Sequence, residues 1–362
     1  MRLVTIRPEA GDEAAGAAYR PAVVLSSGRL LTLGALAQMA PSYLPSAIGR
    51  MDLAAILAYD LGLGAVRDAL DISDDGALEA AALDPVTVRL AAPIPRPGKI
   101  IGVGYNYVDH IREQGLERPT RPVLFSMFAN AVTPDGTPIR HPAGTHALDL
   151  EAELAVVIGR RVSRVTPTEA ARCVAGYTAA NDVTARDWQG QARALPPGER
   201  GDGQWLRAKG SDTFLPLGPA LVTADELGDG RGLAVRSWRT AASGPDAGNP
   251  FQMQDGNTSD LLFSVADLIA IISDEVALEP GDVIVTGTPS GVGVFREPQI
   301  FLEPGDLVQV EVEGIGSLTN PITDMEGGAP AGSPAARFME AGYTMAETSA
   351  ESPADSRSRR SR

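Results

Sequence analysis

From Lys99 onward, short runs of β-branched and other apolar residues are separated by glycine and proline turns. The runs are Ile100 to Val103, Glu151 to Ile158, Val174 to Ala180, Pro219 to Val222, Val283 to Val285 and Leu307 to Val312. β-Branched side chains suit a pleated surface and the turn residues interrupt it, so this spacing predicts a β-rich domain with few helices. Helices are expected at Thr168 to Cys173, opened by Thr166-Pro167, and at Ser264 to Ser273, with Asp267 in the first turn. They would cover one side of the sheets. Upstream, Ala92-Pro93-Ile94-Pro95-Arg96-Pro97 can continue neither a helix nor a central strand and marks a boundary. Residues 1–97 form a small N-terminal α+β unit, with strands at Leu3 to Ile6 and Pro21 to Leu25 and helical stretches between Leu53 and Leu70. This unit has no clustered histidine, cysteine or carboxylate set and reads as structural or as a dimer support. Residues 98–325 form the main domain, and 326–362, rich in Ala, Gly, Ser, Pro and Glu, read as a disordered tail with a basic end, Ser356 to Arg362. The Gly-, Pro- and charge-rich stretch Gln191 to Gln204 has the composition of a mobile lid.

Two carboxylates interrupt the most apolar of these strands. Glu151 and Glu153 lie two residues apart in Asp149-Leu150-Glu151-Ala152-Glu153-Leu154-Ala155-Val156-Val157-Ile158, and the period of a strand puts both on one face. Like charges held beside a core repel each other and lose hydration, so a hard divalent cation is expected between them. A further carboxylate at a strand end in Asn181-Asp182-Val183-Thr184-Ala185-Arg186-Asp187-Trp188-Gln189 would complete a three-carboxylate site with open positions for Mg²⁺, Mn²⁺ or Ca²⁺. Taken alone, that segment is ordinary turn and cap chemistry.

Charge and composition narrow the function. The chain has 362 residues and a formal charge of −15, which repels nucleic acid and anionic membranes. No apolar run is long enough to span a bilayer, the single cysteine, Cys173, has no internal partner, and acidic residues stand where a secretory peptide would be apolar. A soluble cytoplasmic protein is the expectation. The 31 basic residues include only two lysines, Lys99 and Lys209, which marks Lys209 as a place where a compact ammonium serves better than a guanidinium. His110 and Glu113, three apart after the strand Ile100 to Val103, would share a helical face as a general base and its orienting carboxylate. As an isolated pair they equally suit a surface helix. The glycine-rich turn Val285-Thr286-Gly287-Thr288-Pro289-Ser290-Gly291 can hold an oxyanion or carboxylate through its amides and Thr288 but lacks the Gly-Lys-Ser/Thr ending of a phosphate loop.

In order and spacing, five segments together resemble the fumarylacetoacetate hydrolase family: Lys99 to Tyr107 with His110 and Glu113; Asp149 to Gly159; Gly176-Tyr177-Thr178 with Asn181 to Asp187; Ala208 to Phe214; and Thr286 to Pro289. The resemblance covers Lys99 to Thr323. It implies an α+β fold on a β-roll, in a homodimer, with Glu151, Glu153 and Asp182 as metal ligands and His110 with Glu113 activating water from a mobile segment. Lys209, Thr288, Arg186 and Gln189 would orient substrate or stabilise charge, whereas Asp149 and Asp187 remain structural caps and His141 and His146 loop residues. Tyr105 and Met127 stand where many members carry a cation, which argues for a neutral or apolar distal group on the substrate. The reaction implied first is hydrolysis of a C–C bond in a 2,4-dioxo acid of the acylpyruvate type, with Mg²⁺ or Mn²⁺ as electron sink and an enolate leaving group. Decarboxylation, dehydration or isomerisation of a 2-oxo acid is the alternative, and an idle metal-binding scaffold the alternative of another class.

Overall fold

A computed structural model of the chain describes residues 1–8, 19–59, 62–201 and 203–341. The acidic stretch inside 9–16, Asp202 of the expected lid, and the basic end of the tail lie outside the described residues. Strands Arg2–Ile6 (β1), Arg20–Val24 (β2), Leu30–Thr32 (β3), Ile100–Gly104 (β4), Val123–Met127 (β5), Ala152–Ile158 (β6), Val174–Asn181 (β7) and Leu215–Thr223 (β8) belong to one large sheet. A second sheet holds Ala234–Thr240 (β9) and Pro250–Asn257 (β10); Val283–Val285 (β11) returns to the first, and Leu307–Val312 (β12) and Gly316–Thr323 (β13) belong to the second, where the short strand Ile139–Arg140 pairs with β13. The order in the large sheet is β3-β2-β1-β8-β7-β6-β11-β4-β5, and in the second β10-β9-β12-β13. The chain is thus sheet-rich and mixed, with helices on the outside.

β6 lies near the middle and is buried along its whole length. Leu154, Val156 and Ile158 face a core shared with Val235 of β9, Val310 and Val312 of β12 and Leu318 of β13, so the two sheets pack face to face. Ala155 and Val157 point the other way, into a core with Leu33, Leu36, Leu53 and Ile56 of the N-terminal helices. Glu153 shares their parity, which is how one strand holds two cores apart and still presents carboxylates at its start. β1 pairs with β8 through Arg2↔Val222 and Leu3↔Leu221, so the N-terminal strands extend the same sheet.

The helical stretches expected between Leu53 and Leu70 are two helices, Leu53–Ala58 (α1) and Gly62–Ile72 (α2). Two local expectations change. Helix Thr168 to Cys173 is one short α-turn, Pro167–Ala170, followed by a 3₁₀ turn, and Thr166 and Glu169 close a capping box on it. Within the expected disordered tail, Pro334–Ala341 is a helix whose Ala335 and Ala336 are buried near β13, with the Ala336 amide donating to Ser333 Oγ at 3.1 Å. Small alanines, read as low complexity, are what permits that close approach.

The β7–β8 approach is equally tight. A Cβ on Gly176 would lie 2.2 Å from the Val222 carbonyl oxygen in mid-sheet. Gly176→Ala is therefore expected to lower stability by about 3 kcal/mol, read as a shift of the urea midpoint at constant slope.

Candidate active site

Strand pairing assembles the site. β6 and β7 run antiparallel with Ala152↔Asn181 and Glu153↔Ala180 in register, so the start of one meets the end of the other. The Glu151 amide donates to Asn181 Oδ1 at 3.0 Å and the Asp182 amide to the Glu151 carbonyl at 2.9 Å, fixing Asp182 beside the two glutamates. One carboxylate oxygen from each of Glu151, Glu153 and Asp182 lies within 4.8 Å of the others, and all three residues are buried. Glu153 Oε2 also accepts the Gly287 amide at 2.6 Å, which ties the glycine-rich turn to the cluster.

Two cations complete it. Lys209, at the end of helix Trp205–Lys209, donates to Glu151 Oε2 at 2.8 Å, Asp182 Oδ2 at 2.6 Å and Thr184 Oγ1 at 2.8 Å. Those three bonds use all three ammonium protons, so Lys209 holds the carboxylates in place and has no donor left for substrate. Arg186 Nε donates to Asp149 Oδ2 at 2.9 Å, and its Nη2 lies 2.7 Å from Glu151 Oε1. Asp149 also accepts the amides of Gly293 and Val294 at 2.8 and 3.1 Å, capping the 3₁₀ turn Gly293–Phe295.

The donor set fits a divalent cation. With all four ionised, buried Asp149, Glu151, Glu153 and Asp182 exceed their ion-pair partners Lys209 and Arg186 by two negative charges, the amount one such ion cancels. Asp182 Oδ1 is buried without a hydrogen-bond partner, an acceptor left over for a metal.

Burial drives the Glu153 carboxyl well above its ordinary range, and the charges of Asp182 and Glu151 push it further. Burial likewise lifts Asp182, to about 6, although Lys209 pulls it down. Glu151 is desolvated as fully, but Lys209 and Arg186 outweigh that and bring it to about 2. Without metal the cluster therefore holds protons that an entering cation must displace. Metal affinity is expected to rise as pH increases through about 6, where Asp182 gives up its proton. Titration calorimetry in two buffers of different ionisation enthalpy checks it, with proton release at pH 5.5 exceeding that at pH 8. Metal-free protein has the opposite dependence: a raised folded-state value for Asp182 contributes stability at low pH that is lost as pH climbs through about 6.

Helix Val108–Glu113 carries the second group of the site. His110 Nδ1 lies 2.5 Å from Glu113 Oε1, and Glu113 Oε2 accepts the Gly291 amide at 3.1 Å. Asp109 accepts the Ser290 hydroxyl at 2.7 Å, so the helix is fastened to the turn that Glu153 also holds. Phe295 packs edge-on against the His110 ring at 5.9 Å.

One cleft, about 420 Å³ counted to its open mouth, is lined by His110, Glu151, Glu153, Asp182, Arg186, Gln189, Lys209, Thr288 and Tyr105. These are the residues singled out from the sequence apart from Glu113, which stands behind His110. Their roles divide further. The Thr288 hydroxyl donates to the Ala152 carbonyl at 2.9 Å and accepts from Gln254 at 2.7 Å, so it is spent on the fold. Gln189 accepts from Arg186 Nη1 at 3.3 Å, and Tyr105 holds a left-handed φ of 56° at the cleft edge, 6.5 Å from the Trp205 ring. Sequence reasoning missed Gln254, Asp109, Trp205, Phe295, and the carboxamides of Gln114 and Gln191 in the cleft wall. Met127, where the resemblance expects a cation, is buried in the core.

Residues 99–323 match the fumarylacetoacetate (FAA) hydrolase C-terminal family. The chain belongs to this family. An oxaloacetate tautomerase, FAHD2A, mitochondrial, from Homo sapiens is 44% identical over 235 residues, 65% of this chain and 69% of that protein. The corresponding tautomerase of Xenopus laevis is 43% identical over 235 residues, 65% of this chain and 68% of its own. Among solved structures, a fumarylacetoacetate hydrolase from Exiguobacterium antarcticum covers 90% of this chain and 99% of its own at 29% identity and TM-score 0.67. A 5-carboxymethyl-2-hydroxymuconate delta-isomerase from Mycobacterium smegmatis does so at 90% and 99%, with 32% identity and TM-score 0.62. The fumarylacetoacetate hydrolase family includes divalent-metal enzymes acting on small molecules, and the Glu151–Glu153–Asp182 cluster is where this member can hold its ion. No helix among the described residues is long and apolar enough to cross a membrane.

Proposed function

We propose that this chain moves a proton between the keto and enol forms of a 2-oxo acid, with oxaloacetate the first substrate to test. The observation that carries this reading is that a histidine with one ring nitrogen engaged by a carboxylate lines the same cleft as the three-carboxylate cluster. The similarity to oxaloacetate tautomerases supports it.

A divalent ion, Mg²⁺ or Mn²⁺ in preference to Ca²⁺, held by Glu151, Glu153 and Asp182 would supply Lewis-acid polarisation of the 2-oxo acid. Glu113 accepts the Nδ1 proton of His110 and so leaves Nε2 as the basic nitrogen toward the cleft. His110 takes a proton from carbon 3; the C–H electron pair forms the C2–C3 double bond, the C2–O π pair moves onto oxygen, and that oxygen takes a proton from water while His110 returns its own to solvent. Phe125, Trp205 and Phe295 limit water around that transfer. The far end of the substrate meets the carboxamides of Gln114, Gln189 and Gln191 and the ring of Tyr105. Lys209 and Arg186 are both committed to carboxylates, so a second substrate carboxylate finds amide donors there and no unpaired cation among the described lining residues.

Hydrolysis of an acylpyruvate is the second reading, favoured by the same dyad, which can take a proton from water as well as from carbon, and by the likeness to the Exiguobacterium antarcticum hydrolase. Metal-loaded protein given oxaloacetate in D₂O and, separately, a panel of acylpyruvates separates them. Carbon-3 deuteration and enol decay above the buffer rate without pyruvate release from acylpyruvates is the expected result. Pyruvate plus a carboxylic acid from an acylpyruvate replaces tautomerisation by hydrolysis, and turnover of neither leaves the scaffold reading. We further infer a homodimer working in the cytoplasm, with a mass measurement in solution as the check on the first.

A further inference from the structure

Four arginines converge on a groove far from the cleft. It runs between α1 and α2 of the N-terminal unit and the outer ends of β6 and β7, and encloses about 1650 Å³ counted to its open mouth. Arg67, Arg160, Arg161 and Arg172 line it. Arg67 Nη2 pairs with Asp225 Oδ2 at 2.8 Å and Arg161 Nε with Glu279 Oε1 at 3.1 Å, and both acids line the groove too. Arg160 and Arg172 have no hydrogen bond or ion pair among the described residues. The acid nearest Arg172 on its own turn, Glu169, lies outside the groove lining and is occupied by the Thr166 amide and hydroxyl. Among the described lining residues four guanidiniums stand against two carboxylates, an excess of positive charge that Glu169, which interacts with Arg172 from outside the lining, only partly offsets, in a chain whose formal charge is −15. Like charges gathered in one concavity repel each other, and a dianion removes that cost. Guanidinium forks bind phosphate oxygens in bidentate geometry, and two arginines are better neutralised by a phosphate dianion than by a single carboxylate. Leu57, Leu63, Val174 and Pro280 supply apolar surface in the same groove, against which an organic body behind such a headgroup can lie.

We propose that this groove binds a small phosphomonoester, its phosphate between Arg160 and Arg172 and its organic part along Leu57, Leu63 and Pro280. The inference is independent of the reaction in the cleft. The site lies at the opposite end of the β6–β7 pair from the carboxylate cluster, roughly 20–25 Å away along seven strand residues.

The test is calorimetry on Mg²⁺-loaded full chain at fixed ionic strength, with inorganic phosphate and AMP as probes and KCl as the blank. AMP is expected to bind with a dissociation constant in the range of about 0.1–1 mM, more tightly than inorganic phosphate, and on the order of tenfold more weakly to the Arg160→Ala/Arg172→Ala protein. Both side chains are exposed, so the double variant keeps its melting temperature and its turnover. The single variant Arg172→Glu, expected to abolish binding, guards against an unstable double variant. Absence of AMP binding up to about 10 mM, or equal binding by wild type and both variants, overturns the site. AMP binding no tighter than inorganic phosphate overturns the apolar part of the assignment.

Discussion

Glu153→Gln is expected to cut metal-dependent turnover by roughly 10³-fold while leaving the metal-free protein as stable as wild type or more so. Burial and the neighbouring charges of Asp182 and Glu151 already favour the protonated form of Glu153 when no metal is bound. Glutamine has the shape of that neutral acid, and its oxygen can still accept the Gly287 amide that Glu153 Oε2 takes at 2.6 Å. Folding therefore loses nothing, while metal binding loses a charged ligand. Glu151→Gln has the opposite sign for stability. Its carboxylate is held ionised by Lys209 and Arg186, and removing it leaves two buried cations short of a partner, a cost of about 3 kcal/mol. Thermal melts of both variants, with EDTA and with Mg²⁺, set beside turnover, read the two effects separately. Activity of Glu153→Gln within tenfold of wild type, or a metal-free Glu153→Gln protein less stable than Glu151→Gln, would sink the assignment of these carboxylates.

That contrast shows where sequence reading reaches its limit. Period two in an apolar run was enough to bring Glu151 and Glu153 together, because Glu151 directly precedes the strand that carries Glu153 and keeps its alternation. Asp182 is 31 residues from Glu151 in number, and it reaches the site only through the β6–β7 register; motif order pointed to it where the residue pattern alone left its segment an ordinary turn. The strands Val283–Val285 and Leu307–Val312 match their β-branched runs, whereas β8 begins at Leu215, four residues before the run at Pro219, because neighbouring strands extend pairing through Pro216, Leu217 and Gly218. Charge partners were invisible for a related reason. Lys209 looked like a group awaiting substrate, yet pairing with Glu151, Asp182 and Thr184 consumes its donors, and that depends on three segments distant in the chain. Gln254, all of whose polar atoms are engaged with Ala152, Ser237, Thr288 and Pro289, sits in a strand with no distinctive pattern and gave no signal at all.

His110→Ala is expected to lower kcat for carbon-3 proton exchange by about 10²–10⁴-fold while metal affinity stays within a factor of about three, since the imidazole is a proton carrier and not a ligand of the carboxylate cluster. Glu113→Gln is the sharper probe of how the histidine works. Glu113 accepts twice, from His110 Nδ1 through Oε1 and from the Gly291 amide through Oε2. Glutamine has one oxygen for those two donors. If it keeps the Gly291 bond, its NH₂ faces Nδ1, which must then be the unprotonated nitrogen, and the proton moves to Nε2, where it blocks the basic site in the cleft. A loss of about 10–100-fold is expected, again with metal affinity unchanged. Deuterium exchange from D₂O and calorimetric metal titration on the same preparations give both readouts. Exchange that persists in His110→Ala but vanishes in Glu153→Gln would place the proton transfer on another group and remove the dyad from the mechanism. Should the wild type also cleave an acylpyruvate, loss of that cleavage together with exchange in His110→Ala would tie both chemistries to one base, because a nitrogen that accepts a proton from carbon 3 can also accept one from water.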